Sequence, residues 1–201
     1  GIGAATADAF AREGARVALN GRDENALHDV WNSLPDVTGG AHIVAPGDMA
    51  READVDRVMR DSIAAFGGLD VLICNAGIQI QCPSEDIALE DFNKVLAVNV
   101  TSIVLCARAA LKHWRQTDTR GTILVTSSVH QTIPKPQYLG YSASKGAVGN
   151  IVRTLALEYA RHGIRVNGVA PGAIITPMNS SWVNDPKEYS VGSDHIPMGR
   201  P

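Results

Sequence analysis

Apolar residues recur along this chain in two alternating rhythms. Short runs rich in β-branched side chains, at residues 16–20, 41–45, 71–75, 121–126 and 165–169, read as strands. Between them, apolar positions spaced three and four apart mark helices over residues 4–12, 24–33, 51–66, 89–114 and 141–161. Strands that are almost continuously apolar, each followed by a helix, predict an α/β fold with a parallel sheet covered on both faces.

The pattern is that of a Rossmann-type doubly wound sheet in a single domain spanning residues 1–201. No repeat or linker interrupts it. The chain opens on Gly1-Ile2-Gly3 and enters a helix at once. In the 3-2-1-4-5-6 strand order such glycines follow a central first strand, and a sheet without that strand has two unpaired edges in its interior. The expected reading is therefore a fragment, with residues missing before Gly1 and after Pro201.

Composition narrows the function classes. A net charge of -3 offers no basic footprint for nucleic acid or an anionic membrane. No uninterrupted apolar run approaches the roughly 20 residues that span a bilayer, and no membrane association is expected. Cys74, Cys82 and Cys106 are odd in number and lack zinc-site spacing, so free thiols in a reducing cytoplasm are the reading. The six histidines form no cluster, and no metal site is expected.

The candidate chemistry falls where strands end. Gly1, Ile2 and Gly3 at a helix start would let backbone approach a pyrophosphate, where free N–H groups favour an anion. After the strand at 16–20 comes Gly21-Arg22. An acidic residue there usually grips the ribose hydroxyl of NAD, whereas arginine suits the 2′-phosphate of NADP. The cofactor expected is NADP, with NAD as the alternative that the adjacent Asp23 keeps open. Asp48, followed by Met49, would contact the adenine or cap the next helix. Asn75-Ala76-Gly77 is a small-residue turn at a strand end, where open α/β sheets bind ligands.

Tyr141 and Lys145 lie four residues apart and share one helix face. A neighbouring ammonium favours a phenolate, which makes tyrosine usable as a general acid/base near neutrality. Ser127 and Ser128 close the preceding strand and could hold a substrate oxygen. Asn99 is polar within an apolar segment and needs a partner if buried.

Taken in order, Gly1-Ile2-Gly3, Asn75-Ala76-Gly77, Asn99, Ser128, Tyr141-Ser142-Ala143-Ser144-Lys145 and Pro171-Gly172 resemble the short-chain dehydrogenase/reductase family over nearly the whole chain. The resemblance implies that Tyr141 is the acid/base, that Lys145 supports it and holds the nicotinamide ribose, and that Ser128 orients the substrate. It implies that Asn99 positions a water, and that Pro171, Gly172, Ile174 and Thr176 line the nicotinamide. Within the family, residues 127–136, 155–171 and 195–199 look most like bacterial glucose 1-dehydrogenases, although Gln79 stands where those carry an acidic residue and Cys74 replaces a usual asparagine.

The implied activity is hydride transfer between NADP(H) and a secondary alcohol or ketone, with a sugar or polyol as substrate. A 3-oxoacyl reductase is the alternative, and a non-catalytic cofactor-binding interaction protein is the alternative of another class. The family's dimers and tetramers imply a homodimer or homotetramer built on the long helices. Residues 179–189, with Trp182, are expected to form a substrate lid.

Overall fold

The computed structural model describes every residue except His195; the side chains of Ser181 and Trp182 also lie outside the described residues. The predicted alternation is present. Helices α1 (Ile2–Arg12), α2 (Glu24–Ser33) and α3 (Glu52–Phe66) alternate with strands β1 (Ala18–Leu19), β2 (Ile43–Val44) and β3 (Val71–Cys74). Then come α4 (Leu89–Leu96), α5 (Ser102–Thr117), β4 (Thr122–Thr126), α6 (Leu139–Tyr159), β5 (Arg165–Val169), α7 (Ser180–Val183) and α8 (Pro186–Asp194). The segment expected as a lid is thus largely helical. The expectations at Trp182 and His195 fall outside the described residues.

All strand pairs are parallel, and they form two separate sheets, β2-β1 and β3-β4-β5. These are the two flanks of the 3-2-1-4-5-6 order; among the described residues no strand holds its central place. The register decides where the chemistry lies. Cys74 pairs with Val125, and Thr126 with Val169, so the residues after β3, β4 and β5 emerge together at one carboxyl edge. Gly47 N–H donates to the Gly21 carbonyl at 2.9 Å, bringing the ends of β1 and β2 to a common edge as well.

The core gathers around β4, where Ile123 and Val125 are fully buried and alternate with half-buried neighbours. Val55 and Met59 of α3, Ala107, Ala110 and Trp114 of α5, and Val148 of α6 close on it. Trp114 fills the space beside Gly121, where an added Cβ would clash with its ring. Its indole N–H donates to the Leu69 carbonyl at 2.5 Å, so this large buried side chain leaves no polar atom unpaired. The stretch Leu89–Thr117 is long and apolar enough to cross a bilayer, but half of it is buried inside the fold, and the contacts of α5 with α3 and β3 are those of a core helix.

The single helix expected over residues 89–114 is instead two helices joined by a π-helical turn, Ala97–Thr101. A π turn carries an extra residue, shifts the helix face, and recurs at functional sites. Asn99 sits at its centre, completely buried.

Candidate active site

Behind the carboxyl edge of β3 and β4, three polar side chains are buried together. Asn99 is held by Ile78 at both ends of its amide: Oδ1 accepts from Ile78 N–H at 2.8 Å, and Nδ2 donates to the Ile78 carbonyl at 2.9 Å. The same Nδ2 donates to Ser144 Oγ at 3.0 Å, and Ser144 donates to the Tyr141 carbonyl at 2.6 Å. Every one of these groups is satisfied, which is the condition for holding polar atoms at 0% exposure. The π turn, the loop after β3 and the first turns of α6 are thereby locked together.

Helix α6 buries Gly140, Ser144, Lys145, Val148 and Gly149. This spacing is one helical stripe, so Lys145 lies on the core side and Tyr141, one turn earlier, stays half-buried at the edge. The Lys145 ammonium donates to the Thr126 carbonyl at the end of β4 at 2.9 Å and lies 5.7 Å from the centre of the Tyr141 ring. Burial lowers its pKa to about 8, because the low-dielectric surroundings disfavour the ammonium.

Ser128 is buried, and its Oγ accepts from His130 N–H at 3.2 Å, capping the turn Val129–Gln131 that packs against α6. Ser127 donates instead to Gln131 Oε1 at 2.9 Å. The two serines are therefore separated by their partners. The His130 ring stands edge-on to Tyr141 with centroids 6.2 Å apart. Val129 N–H donates to the Pro171 carbonyl at 3.0 Å, tying this turn to Pro171-Gly172 after β5.

The small residues at the other strand ends make a cradle. A Cβ on Gly3 would approach Asn75 Nδ2 to 2.7 Å, so the Asn75 side chain packs against the start of α1 in the space that glycine leaves. Gly1, the N-cap of α1, faces Pro177, directly after Thr176. A helix N-terminus ringed by small-residue turns fits the pyrophosphate of a dinucleotide. Gly77 adjoins both Asn99 Oδ1 and Lys145 Nζ, at 3.5 and 3.8 Å from the position of an added Cβ. Ile174 and Thr176 lie on the exposed loop between β5 and the 3₁₀ turn Pro177–Asn179, where Asn179 Nδ2 donates to the Ile174 carbonyl at 2.7 Å.

Some expected roles are redistributed. Asp48 does not cap α3, whose N-cap is Arg51; its Oδ1 accepts from Ala50 N–H at 3.0 Å in a local turn. Met49 packs against the core, its sulfur 3.9 Å from Cys106 Sγ. Asp23 caps α2 through Ala26 N–H at 3.1 Å, whereas the neighbouring Arg22 is exposed and unpaired among the described residues. Cys74, Cys82 and Cys106 are free thiols, and burial pushes Cys106 up to about 11. Burial, followed by repulsion from Cys106, also raises Cys74.

Residue spacing does not single out Ser144 or Lys135. Ser144 becomes visible only through Asn99, 45 positions earlier in the chain. Lys135 donates to Gln79 Oε1 at 3.0 Å and lies 3.6 Å from the centre of the Tyr138 ring and 5.7 Å from that of Tyr141. Next to it, Gly77, Ile78, Gln79, Gln81, Tyr138 and Met178 line a cleft of about 370 Å³.

Known proteins carry the same organisation. The family model described as short chain dehydrogenase matches residues 1–187. The chain is 64% identical to a glucose 1-dehydrogenase of Gluconobacter oxydans (strain 621H), over all of this chain and 76% of that protein. Its fold matches a gluconate 5-dehydrogenase from Burkholderia cenocepacia J2315, solved with NADP and tartrate, at a TM-score of 0.88 and 31% identity, covering 100% of this chain and 78% of that one. A 3-ketoacyl-(acyl-carrier-protein) reductase from Brucella melitensis, solved with NADH, matches at 0.88 and 31%, covering 100% and 79%. The chain belongs to the short-chain dehydrogenase family and is an NAD(P)-dependent oxidoreductase that acts on CH–OH groups.

Proposed function

We propose that this enzyme interconverts a sugar or polyol and its oxidised form with NADP(H), using Tyr141 as the acid/base. The observation that carries the chemistry is the buried array of Asn99, Ser144 and Lys145 behind a half-buried Tyr141. It fixes the start of α6 so that the phenol meets substrate in one orientation. The substrate class is supported by 64% identity to a glucose 1-dehydrogenase across the whole chain.

The dinucleotide, held by Gly1, Ile2, Gly3 and the Asn75-Ala76-Gly77 turn, supplies the two-electron hydride chemistry. Tyr141 Oη takes up the alcohol proton during oxidation and returns it to the carbonyl oxygen during reduction. Lys145, anchored on Thr126, places positive charge beside Tyr141 and favours its deprotonated form. Ser128 steadies the substrate oxygen as charge develops on it. Asn99 keeps the Ile78 backbone and Ser144 in register. Pro171, Gly172, Ile174 and Thr176 would flank the nicotinamide, and Gly21, Arg22, Asp48 and Met49 the adenosine end. NADP is supported by Arg22, exposed and unpaired, while Asp23 is engaged as a helix cap. The same reading has the enzyme working in the cytoplasm as a homodimer or homotetramer, with Leu157 of α6 and Val104 of α5 exposed as contact residues.

The test is a panel of sugars, polyols and 3-oxoacyl thioesters, followed through NADPH absorbance and repeated with NADH. Turnover of sugars or polyols is the expected result. Activity confined to 3-oxoacyl thioesters would overturn the sugar reading.

A further inference from the structure

The cleft beside Tyr141 holds more than a neutral polyol requires. Its lining residues, Gly77, Ile78, Gln79, Gln81, Tyr138 and Met178, include no acidic side chain. Lys135 stands against two of them, bonded to Gln79 and lying over the Tyr138 ring, with no carboxylate within 4.0 Å among the described residues. An ammonium has three donors, and one protein acceptor is present here. Partial burial lowers the pKa of Lys135, as expected of a cation that has lost water without gaining an anion.

The surrounding wall is built. Gln79 is gripped at both ends, accepting from Lys135 and donating to the Met178 carbonyl at 3.4 Å. Tyr138 Oη donates to Gln81 Oε1 at 3.0 Å, and Gln81 Nε2 donates to Gln137 Oε1 at 2.7 Å. Gln137 sits in the left-handed region at φ 66°, unusual for a side chain of its size, and its carbonyl accepts from Cys82 N–H at 2.8 Å. These bonds join Tyr138, the platform on which Lys135 rests, to the Gln81–Cys82 segment. The cation cannot swing to solvent without losing both contacts.

We propose that Lys135 is a substrate-binding residue that selects polyhydroxy acids over neutral sugars and polyols, pairing with a substrate carboxylate while the alcohol to be oxidised lies at Tyr141. This rests on the proposed dehydrogenase reading and moves its preferred substrate from neutral sugars and polyols to their acids. Lys135 and Lys145 each lie 5.7 Å from the Tyr141 ring centre, but only Lys145 is bonded to the backbone of β4. In the reading above Lys145 serves Tyr141 and the nicotinamide ribose. Lys135, against the cleft, is the cation left for substrate, and a carboxylate there forms a charge-assisted bond in a partly desolvated site.

The experiment compares D-gluconate with D-glucitol, a matched pair differing at one end by a carboxylate, using the full chain with NADP⁺ and NAD⁺. Wild-type enzyme is expected to show the higher kcat/KM on gluconate, through a lower KM. Lys135→Gln should cut the gluconate-to-glucitol ratio by about tenfold or more, and Lys135→Arg should retain most of it. Added NaCl should raise KM for gluconate and not for glucitol, a response that a merely structural lysine would not produce. An equal ratio in wild type and Lys135→Gln, with both compounds turned over, overturns this assignment and leaves the sugar or polyol reading standing. If wild type turns over no sugar, polyol or sugar acid, that broader reading fails and this one with it.

Discussion

The two sheets of this protein are built to different standards. Around β3-β4-β5, strands pair over four and five residues, Ile123 and Val125 are fully buried, and Asn99, Ser144 and Lys145 are enclosed with partners. Around β2-β1, pairing covers two residues, and α2 buries none of its ten. Gly21 and Arg22 stand at an open edge. Proton transfer tolerates little displacement, and satisfied buried networks hold the residues to which it is assigned in the proposal above. The adenosine end of a nucleotide, proposed above to lie at this edge, needs shape and charge more than sub-ångström placement. The difference predicts that changes on the first side alter rate, whereas changes on the second alter cofactor choice.

Tyr141→Phe tests that division most sharply. Removing one hydroxyl from a half-buried ring leaves the packing of α6 in place, but removes the proposed acid/base. Turnover should fall by about a thousandfold, with nucleotide affinity, measured by fluorescence titration, nearly unchanged. Equal activity in the variant would remove Tyr141 from the mechanism.

Lys145 gives a pH signature on the same side. Its pKa is about 8 in the fold against an ordinary 10.5, so the folded state disfavours the ammonium. Below pH 8 the lysine is charged folded and unfolded, and the cost of burying that charge is present in full. Between about 8 and 10.5 the unfolded chain binds the extra proton, and stability rises with pH by a few kcal/mol at most. Denaturant titrations of wild type and Lys145→Met across this window should differ in slope, with the rise lost in the variant. A wild-type curve parallel to that of Lys145→Met would contradict the burial argument.

Gly3→Ala probes the junction between the two halves. Its Cβ would press on Asn75 Nδ2 at 2.7 Å, displacing the Asn75 side chain within the cradle. Nucleotide binding should weaken roughly tenfold, with kcat at saturating nucleotide much less affected. Unaltered affinity would place the pyrophosphate elsewhere.

What could be read in advance divides along the same line. Strands and helices were legible because apolar periodicity survives in a one-dimensional string, and the strand ends then placed Asn75-Ala76-Gly77, Ser128 and Pro171 at one edge. Tyr141 and Lys145 were legible because one helix turn sets their separation. The π turn was not, since an inserted residue in an apolar helix leaves no compositional mark. Ser144 and the Lys135–Gln79 contact join residues 45 and 56 positions from their partners, which only the fold brings together. Of the two roles open to Asp48, the helix cap falls away because its turn closes on Ala50, before the N-cap Arg51.

The smallest effect is expected at the exposed edge. Arg22 makes no bond to the protein among the described residues, so Arg22→Ala should leave folding alone. An exposed guanidinium gains about 1 kcal/mol or less from a single ionic partner, because solvent screens the pair. A 2′-phosphate contact of that size means a loss of roughly fivefold in NADP affinity, with NAD affinity held constant. The loss should shrink as NaCl is raised, since wild type loses the same contact to screening. Asp23 supplies the counter-test: it caps α2, so Asp23→Ser, which keeps an N-cap acceptor, should shift the ratio further toward NADP by removing a carboxylate near the phosphate. A ratio indifferent to both substitutions would mean that this edge does not read the nucleotide, and that discrimination lies with the turns nearer Gly3.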